Sequence, residues 1–313
     1  MSRMFITGSS TGLGLMAGRL LAELGHQVVL HARDERRAGD AKSALPAATE
    51  VVIGDASRLK DLRRTAEQLN GMGRFDAVIH NVGIGYREPR RVLTGDGLPH
   101  VFATNVIAPF VLTAFLLIRS TRLVYLSSGM HHRVHANLSD LIWEKRTWAG
   151  STAYAESKLY DVVLAFAIAR RWPDVFSNAL EPGWVPTRMG GLGAPTISTK
   201  PTLRRHVSGE QRAGAAGYGT IFLSHASSPA EPSGIRHRVA GRLTRCLRAT
   251  LGCQAPSVKP EFSKAAANGD FSDRIGVQLP SRPHALSNAA GRRCLWIMPR
   301  RIGRSTRLSI WAR

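Results

Sequence analysis

Short apolar runs alternate with longer amphipathic segments along the first 190 residues of the chain. Strand-like apolar runs occupy residues 4–7, 27–32, 48–54, 77–81, 122–127 and 176–181. Patterns with the helical period fill residues 13–24, 58–70, 98–118 and 152–171. Strands that alternate with helices predict an α/β fold with a doubly wound parallel sheet, whose ligands bind at the carboxyl ends of the strands.

A glycine-rich turn follows the first strand at once. Thr7 leads into Gly8-Ser-Ser-Thr-Gly12-Leu-Gly14, and the next helix begins inside this turn. Glycines let the backbone approach a phosphate closely, and the N–H groups of a helix N-terminus face the anion. The turn predicts a phosphate cradle, although a plain connection between a strand and a helix can have the same composition.

Tyr154 and Lys158 stand four positions apart in the run Ser151-Thr-Ala-Tyr154-Ala-Glu-Ser-Lys158. On a helix, this spacing places both side chains on one face. A phenol is a poor acid or base at neutral pH, but an ammonium one turn away favours the phenolate. The pair is therefore a candidate acid–base centre; the alternative is an ordinary solvated pair.

The glycine turn and the Tyr154/Lys158 pair occur together with several other short motifs along the chain. The set comprises Thr7 to Gly14, Asn81-Val-Gly83, Asn105, Ser127-Ser128, Tyr154 with Lys158, and Pro182-Gly183 through Thr187. As a set they resemble the short-chain dehydrogenase/reductase family, over residues 3 to about 190. The resemblance implies a Rossmann-type sheet and an oxidoreductase that transfers hydride between NAD(P)(H) and a carbonyl or alcohol.

The resemblance also implies a role for each candidate catalytic residue. Ser128 would donate a hydrogen bond to the substrate carbonyl oxygen, with Ser127 as the alternative serine. Tyr154 would transfer the proton, and Lys158 would tune Tyr154 and hold the nicotinamide ribose. Asn105 would position a water molecule that connects Lys158 to solvent.

Cofactor contacts are implied at further positions of the same motifs. Asp55 matches the aspartate that contacts adenine, and Thr187 the residue that contacts the nicotinamide carboxamide. The full set of expected cofactor residues is Gly8, Ser10, Gly12, Leu13, Gly14, Arg33, Asp55, Asn81, Gly83, Tyr154, Lys158, Pro182, Gly183 and Thr187.

The end of the second strand bears on the choice of dinucleotide. An acidic residue there would hold the ribose 2′-hydroxyl of NAD, whereas an arginine can meet the 2′-phosphate of NADP. Arg33 stands near this position, so NADP is favoured. NAD stays open, because Asp34 or Asp40 could turn inward and Arg33 could be a solvated loop residue.

Ser128 and Tyr154 are separated by 26 positions, and the stretch between them resembles that of the retinol-dehydrogenase-like branch of the family. His131, His132 and His135 lie in this stretch. No cysteine or paired carboxylate accompanies them in the sequence, so they are expected to line the mouth of the site rather than to bind a metal. Two tryptophans indicate either an apolar substrate edge or a packed loop, namely Trp143 and Trp148.

Charge is distributed unevenly along the chain. The first 190 residues hold 23 of the 43 Lys and Arg and 17 of the 22 Asp and Glu, which leaves 20 basic and 5 acidic residues for the remainder. The cysteines, Cys246, Cys253 and Cys294, also lie in the last third, with neither zinc spacing nor a disulfide pattern. The expected domains are a dinucleotide-binding domain at 1–195 and a basic, poorly ordered extension at 196–313.

Three interpretations of residues 196–313 stand. The segment is a basic arm for nucleic acid or anionic lipid, a disordered low-complexity tail, or the product of a frameshift near residues 191–196. The frameshift is favoured for the following reason. When the amino-acid sequence of this segment is back-translated and the codons are read one base later, they can give segments that resemble the closing part of bacterial family members. We expect few contacts with the core, at most isolated helices, and only non-specific binding of nucleic acid.

Other expectations concern partners and location. The substrate is a small carbonyl or alcohol; a non-catalytic remnant with a basic tail is the alternative. No run is long enough to span a membrane, and Met1-Ser-Arg leads directly into a strand without a signal peptide, so a cytoplasmic protein is expected.

A homodimer or homotetramer would form through helices 98–118 and 152–171 if the C-terminus is intact. These two helices carry more apolar residues than one helix face can bury in the core, so the excess would lie at the subunit interface. The apolar residues are Phe110, Leu112, Phe115, Leu116, Leu164, Phe166 and Ile168.

Overall fold

The strands form one seven-stranded sheet. A computed structural model describes residues 1–116, 120–185 and 187–191, together with the backbone of one later strand, 220–224. The strands are β1 (Arg3–Ile6), β2 (Gln27–Ala32), β3 (Glu50–Ile53), β4 (Ala77–His80), β5 (Arg122–Leu126), β6 (Phe176–Glu181) and β7 (Thr220–Ser224). Their order is β3-β2-β1-β4-β5-β6-β7, and β1 through β6 pair in parallel. The predicted doubly wound parallel sheet is confirmed.

Helices cover both faces of this sheet. They are α1 (Gly12–Glu23), α2 (Glu35–Ala44), α3 (Leu59–Gly71), α4 (His100–Phe102), a π-helical turn (Ala103–Ile107), α5 (Ala108–Phe115), a 3₁₀ turn (Gly129–Arg133) and α6 (Gly150–Arg171). Phe5 of β1 joins the core under α3, α5 and α6, whereas the adjacent Ile6 joins the core under α1 and α2. Successive strand residues point to opposite faces, so β1 is apolar throughout. Among the described helices, none is long and apolar enough to cross a membrane.

Helix α2 was not predicted from the sequence. Its buried residues are only Ala38 and Ala41, so it lacks the broad apolar stripe that marks an amphipathic helix. Asp34 begins the helix instead, because its carboxylate accepts a hydrogen bond from the Arg37 backbone N–H at 2.8 Å. That bond lowers the pKa of Asp34. A capping side chain therefore signals this helix where hydrophobic periodicity does not.

The long helix predicted over residues 98–118 is interrupted. The π-helical turn separates α4 from α5 and carries Asn105. Pro109 follows in the first turn of α5 and has no backbone N–H for the carbonyl of Asn105 four residues earlier. The π turn and the proline together place Asn105 at a break in the helix rather than within a regular ladder.

The apolar residues that were taken as a surplus for subunit contacts are mostly buried within the single chain. Phe110, Leu112, Leu116, Leu164 and Ile168 all belong to the core. Phe115 and Phe166 are half-buried and pack against the same cluster. The expectation that these apolar residues exceed what the single chain can bury was therefore wrong. The oligomeric state itself stays a prediction.

Strand β7 is the described part of the segment 196–313. It pairs antiparallel with β6, so that Glu181 faces Thr220 and Ser177 faces Ser224. The expectation that this segment makes few contacts with the core and forms at most isolated helices is wrong for these five residues. The reason is that β6 would otherwise be an open sheet edge, and a short apolar run can pair with it. The other residues of 196–313 lie outside the described part, and the frameshift stays a prediction.

Candidate active site

The turn between β1 and α1 requires its glycines for backbone conformation and for close packing. Gly8 and Gly12 have φ angles of +60° and +59°, which favour glycine. A Cβ at Gly14 would lie 2.5 Å from Asn81 Nδ2 and 2.8 Å from the Gly8 carbonyl oxygen, so a larger residue does not fit. Thr11 stands at the N-cap of α1 and makes no side-chain capping bond to the first N–H groups of the helix.

Asn81 fixes the shape of this turn. Its Nδ2 donates to the carbonyl oxygens of Thr7 and Gly8, both at 2.9 Å. The hydroxyl of Thr7 in turn accepts the N–H groups of Asn81 and Val82, each at 2.9 Å. The sequence indicated Asn81 as a cofactor residue, and the contacts show how it links β1 to β4. Glycines with positive φ at an uncapped helix N-terminus fit the pyrophosphate of a dinucleotide.

Ser9, which no sequence motif indicated, ties the same turn to β2. Ser9 is fully buried; its hydroxyl donates to the Ile6 carbonyl oxygen and accepts the His31 N–H, both at 2.8 Å. Ser10, which was predicted instead, is only half-buried. The two serines are adjacent in sequence, and no local pattern shows which one turns inward.

The predicted pair on α6 is brought together as expected. Tyr154 and Lys158 are both buried, and the Lys158 ammonium lies 5.9 Å from the centre of the Tyr154 ring. Lys158 Nζ donates to the Leu126 carbonyl oxygen at 2.7 Å, which attaches α6 to the end of β5. A Cβ at Gly83 would lie 3.5 Å from Lys158 Nζ, so the ammonium sits directly beneath the loop that follows β4.

A carboxylate that the sequence analysis overlooked pairs with this lysine. Asp161 Oδ2 accepts a hydrogen bond from Lys158 Nζ at 2.9 Å, and both side chains are almost completely buried. Burial lowers the pKa of Lys158, but the charges of Asp161 and Tyr154 outweigh it, and the pKa lies above its usual value. Burial raises the pKa of Asp161 to about 6, against the opposing effect of Lys158. The i, i+3 spacing to Lys158 was the available sequence signal.

The two candidate serines have different contacts. The Ser127 hydroxyl is buried and donates to the Lys158 carbonyl oxygen at 2.8 Å, so its proton is used inside the fold. Ser128 comes directly after β5, is half-buried, and its hydroxyl oxygen accepts a long bond from Met130 N–H at 3.4 Å. The hydroxyl proton of Ser128 therefore remains available to a ligand at the sheet edge.

Asn105 holds the loop after β4. Its Oδ1 accepts the Ile84 N–H at 2.9 Å, and its Nδ2 donates to the Ile84 carbonyl oxygen at 3.1 Å. The same Nδ2 donates to Ser157 Oγ at 3.0 Å, which links the loop to α6. Asn105 thus positions the Gly83–Ile84 backbone over Lys158.

The far wall of the site is apolar. Tyr154 Oη lies 3.9 Å from the sulfur of Met189, and the Tyr86 ring packs edge-on to the Tyr154 ring at 5.8 Å. A Cβ at Gly12 would lie 3.7 Å from Thr187 Cγ2, so Thr187 borders the glycine turn. Pro182 and Gly183 follow β6 between these features, and Gly183 has a φ of +75°.

Arg33 and Asp55 lie beyond the ends of β2 and β3. Arg33 is exposed and pairs with Asp34 at 3.0 Å. Asp55 Oδ1 accepts the N–H and the hydroxyl of Ser57 at 2.9 and 2.7 Å, and the other oxygen faces Arg58 at 3.7 Å. Leu13 lies in the first turn of α1 and is half-buried.

Arg146 connects the stretch between Ser128 and α6 through ion pairs and a ring contact. Arg146 bonds both oxygens of Glu156 at 2.7 and 3.0 Å and Asp140 Oδ2 at 3.1 Å, and its guanidinium lies 3.8 Å from the centre of the Trp143 ring. Trp143 is buried and packs edge-on to Trp148 at 5.4 Å. These contacts match the packed-loop interpretation of the two tryptophans.

The histidines of this stretch differ in their surroundings. His131 is buried and its Nδ1 lies 2.6 Å from the Ser128 carbonyl oxygen, and burial lowers the pKa of His131 to about 4. One potential metal-ligating atom from each of His131, His132 and Glu181 lies within 4.8 Å of the others. His135 is exposed and is not part of this group. The prediction that these side chains line the mouth without a metal stays a prediction.

Comparison with known proteins gives a consistent picture. The family model described as short chain dehydrogenase matches residues 2–192. An uncharacterised oxidoreductase of Emericella nidulans is 36% identical over 260 residues, which cover 82% of this chain and 99% of that protein. This match is longer than the segment 1–195 and so extends beyond it.

Two further proteins are similar, one by sequence over a shorter length and one by structure at lower sequence identity. Retinol dehydrogenase 13 of Homo sapiens is 30% identical over 210 residues, which cover 62% of this chain and 63% of that protein. A crystal structure of a putative uncharacterized protein from Mycobacterium paratuberculosis superimposes with a TM-score of 0.62 at 27% identity, over 80% of this chain and 93% of that one.

The glycine turn generates a direct test of the phosphate cradle. Gly14→Ala places a methyl group against Asn81 and the backbone of Gly8 and Ser9, which must then shift. The change in shape removes contacts to the phosphates, and a loss of about 1.4 kcal/mol in binding free energy lowers the affinity for NAD(P)H about tenfold. Isothermal titration of the folded variant measures this. Gly39→Ala in α2 is the control, because nothing lies within 4 Å of its added Cβ; equal affinities for both variants would contradict the cradle.

Proposed function

Because the chain belongs to the short-chain dehydrogenase family, we propose that it transfers hydride between NADP(H) and a carbonyl or alcohol substrate through Ser128, Tyr154 and Lys158. One observation carries this proposal: a buried lysine, anchored to the end of β5, lies one helical turn from a buried tyrosine at the carboxyl edge of the sheet. Ligands of doubly wound sheets bind at that edge.

In the direction of reduction, a bound NADPH would supply the hydride for the carbonyl carbon. Ser128 donates its hydroxyl proton in a hydrogen bond to the carbonyl oxygen, since that proton is not used within the fold. Tyr154 gives its phenolic proton to the same oxygen as negative charge develops on it. The Lys158 ammonium stabilises the phenolate that remains.

Two of the three N–H donors of Lys158 are used within the protein, at Leu126 and Asp161. The remaining donor is available to the cofactor ribose. Asn105 supports this arrangement by fixing Ile84 and Ser157 on either side of the lysine. Met189 and Tyr86 cover the Tyr154 hydroxyl and ring and restrict the access of water. This apolar wall suits a substrate whose carbonyl carries an apolar substituent.

The contacts at the end of β2 support NADP over NAD. Asp34 is engaged at the start of α2, because its carboxylate accepts the Arg37 N–H, and Asp40 lies further along α2, where it makes an exposed pair with Arg36 at 3.6 Å. Arg33 is 65% exposed in its side chain, and an exposed pair of this kind is worth about 1 kcal/mol or less. Its guanidinium is therefore free to exchange Asp34 for a 2′-phosphate.

The role of Tyr154 is tested by Tyr154→Phe. Loss of the phenolic proton should reduce the rate of NADPH-dependent reduction of an aldehyde or ketone by at least about 10²-fold. Tyr160→Phe is the matched control, because Tyr160 lies on the same helix but its hydroxyl donates to the Asn137 carbonyl oxygen away from the site. Near-normal turnover by Tyr154→Phe would refute the assignment and leave the non-catalytic alternative.

The role of Arg33 is tested by Arg33→Asp. The change replaces a phosphate partner with a like charge, so the dissociation constant for NADPH should rise while that for NADH changes little. We expect the ratio of the two constants to shift by at least about tenfold. Arg64→Asp on α3 makes the same charge change elsewhere, at a side chain that pairs with Asp61. An unchanged NADPH/NADH ratio would show that Arg33 does not meet the phosphate.

A further inference from the structure

Asp161 is buried beside the lysine that is proposed to act in catalysis. Its side chain is 3% exposed and that of Lys158 is 6% exposed. One carboxylate oxygen accepts from Lys158 Nζ at 2.9 Å; the other is buried and receives no hydrogen bond from any residue that the structure describes. A carboxylate that only held the fold together would be expected to use both oxygens.

The position of the lysine depends on this carboxylate. Lys158 Nζ has two acceptors in the described part of the chain, the Leu126 carbonyl oxygen and Asp161. The Leu126 carbonyl is neutral, so Asp161 is the group that compensates the charge. Above the ammonium lies Gly83, where an added Cβ would be in ordinary van der Waals contact with Lys158 Nζ at 3.5 Å. The ammonium is thus held between α6, β5 and the loop after β4.

Few other ionisable groups face the pair. On α6 the neighbour is Tyr154, and on β5 it is Tyr125, whose pKa is raised by burial and by the Asp161 charge. On β4, His80 stacks on Tyr125 at 4.7 Å, and burial lowers the pKa of His80 to about 3.

On the 3₁₀ turn, His131 is also neutral above pH 5, because its pKa is lowered to about 4. Within the described residues, then, Lys158 and Asp161 are the charged groups of this region at neutral pH. The ion pair exists from about pH 6, where Asp161 ionises, up to the raised pKa of Lys158.

We propose that Asp161 is a positioning residue for proton transfer: its carboxylate keeps Lys158 charged and anchored beneath Gly83, where the ammonium faces Tyr154. Asp161 acts through Lys158 and does not touch the substrate. Its significance for catalysis rests on the proposed function, but its hold on Lys158 is a property of the protein without ligands. Without the carboxylate, the buried ammonium would have only neutral acceptors and would lose its proton more readily.

Titration of Lys158 in Asp161→Asn tests this directly. The full-length protein, free of cofactor and substrate, is labelled with lysine carrying ¹³C at Cε, and the Lys158 signal is identified by its absence in Lys158→Arg. We expect the pH at which Lys158 loses its proton to fall by at least about one unit relative to the wild-type protein. Asp174→Asn is the control, because this substitution removes the same charge at an exposed residue in the turn after α6.

A second measurement needs no substitution and keeps the test decisive if Asp161→Asn does not fold. In the wild-type protein, the Lys158 signal should shift with a midpoint near pH 6 as Asp161 takes up its proton. A Lys158 midpoint within about 0.3 pH units of wild type in Asp161→Asn would overturn the proposal. A wild-type Lys158 signal with no acidic step at any pH at which the protein stays folded would also overturn it.

The catalytic consequence is measured separately. The alkaline limit of kcat for carbonyl reduction should move to lower pH in Asp161→Asn by the same amount as the Lys158 midpoint, whereas Asp174→Asn should keep the wild-type profile. An unmoved profile would show that Asp161 does not position the lysine for proton transfer. An enzyme that reduces no carbonyl at all would refute the proposed function and leave the lysine titration as the test of Asp161.

Discussion

The structure depends on burying one positive charge. An ammonium moved out of water costs several kcal/mol unless it is paired and hydrogen-bonded. Lys158 meets this requirement with the Leu126 carbonyl at the end of β5 and with Asp161 one turn along α6. Because both partners are parts of the packed core, the charge cannot leave this position without losing them. The site is therefore rigid where the proton is proposed to be transferred.

The surrounding elements are arranged to make this burial possible. Asn105 stands in a π-helical turn before Pro109 and fixes Ile84, which places the glycine of the loop after β4 over the lysine. Asn81 draws the turn after β1 towards the same loop. These side chains come from separate segments of the sequence, but they meet because the chain reverses its strand order between β1 and β4.

Much of this could be predicted from the sequence, because the signals are local. The glycine turn, the Tyr154/Lys158 spacing and the six parallel strands each depend on a few adjacent residues, and the structure contains all of them. The choice between Ser127 and Ser128 needed the structure, since only their contacts differ.

What could not be predicted depends on distant partners. Helix α2 begins at a capping aspartate and has almost no apolar stripe. Asp161 looks like a surface residue of a helix until the packing of β5 shows that it is buried. The apolar residues of α5 and α6 looked like a subunit interface, but both helices bury them against the sheet of the same chain. Strand β7 depends on an open edge at β6, which no property of residues 220–224 reveals.

The most direct test of this account is the coupling between Lys158 and Asp161 in the stability of the protein. Denaturant unfolding of the wild type, Asp161→Asn, Lys158→Met and the double variant gives that coupling as a free energy. Removal of one partner leaves a buried charge uncompensated, so each single variant should lose about 3–5 kcal/mol, and the double variant should recover most of one such loss. Single effects that add to within about 0.5 kcal/mol would contradict the claim that this ion pair holds the site together.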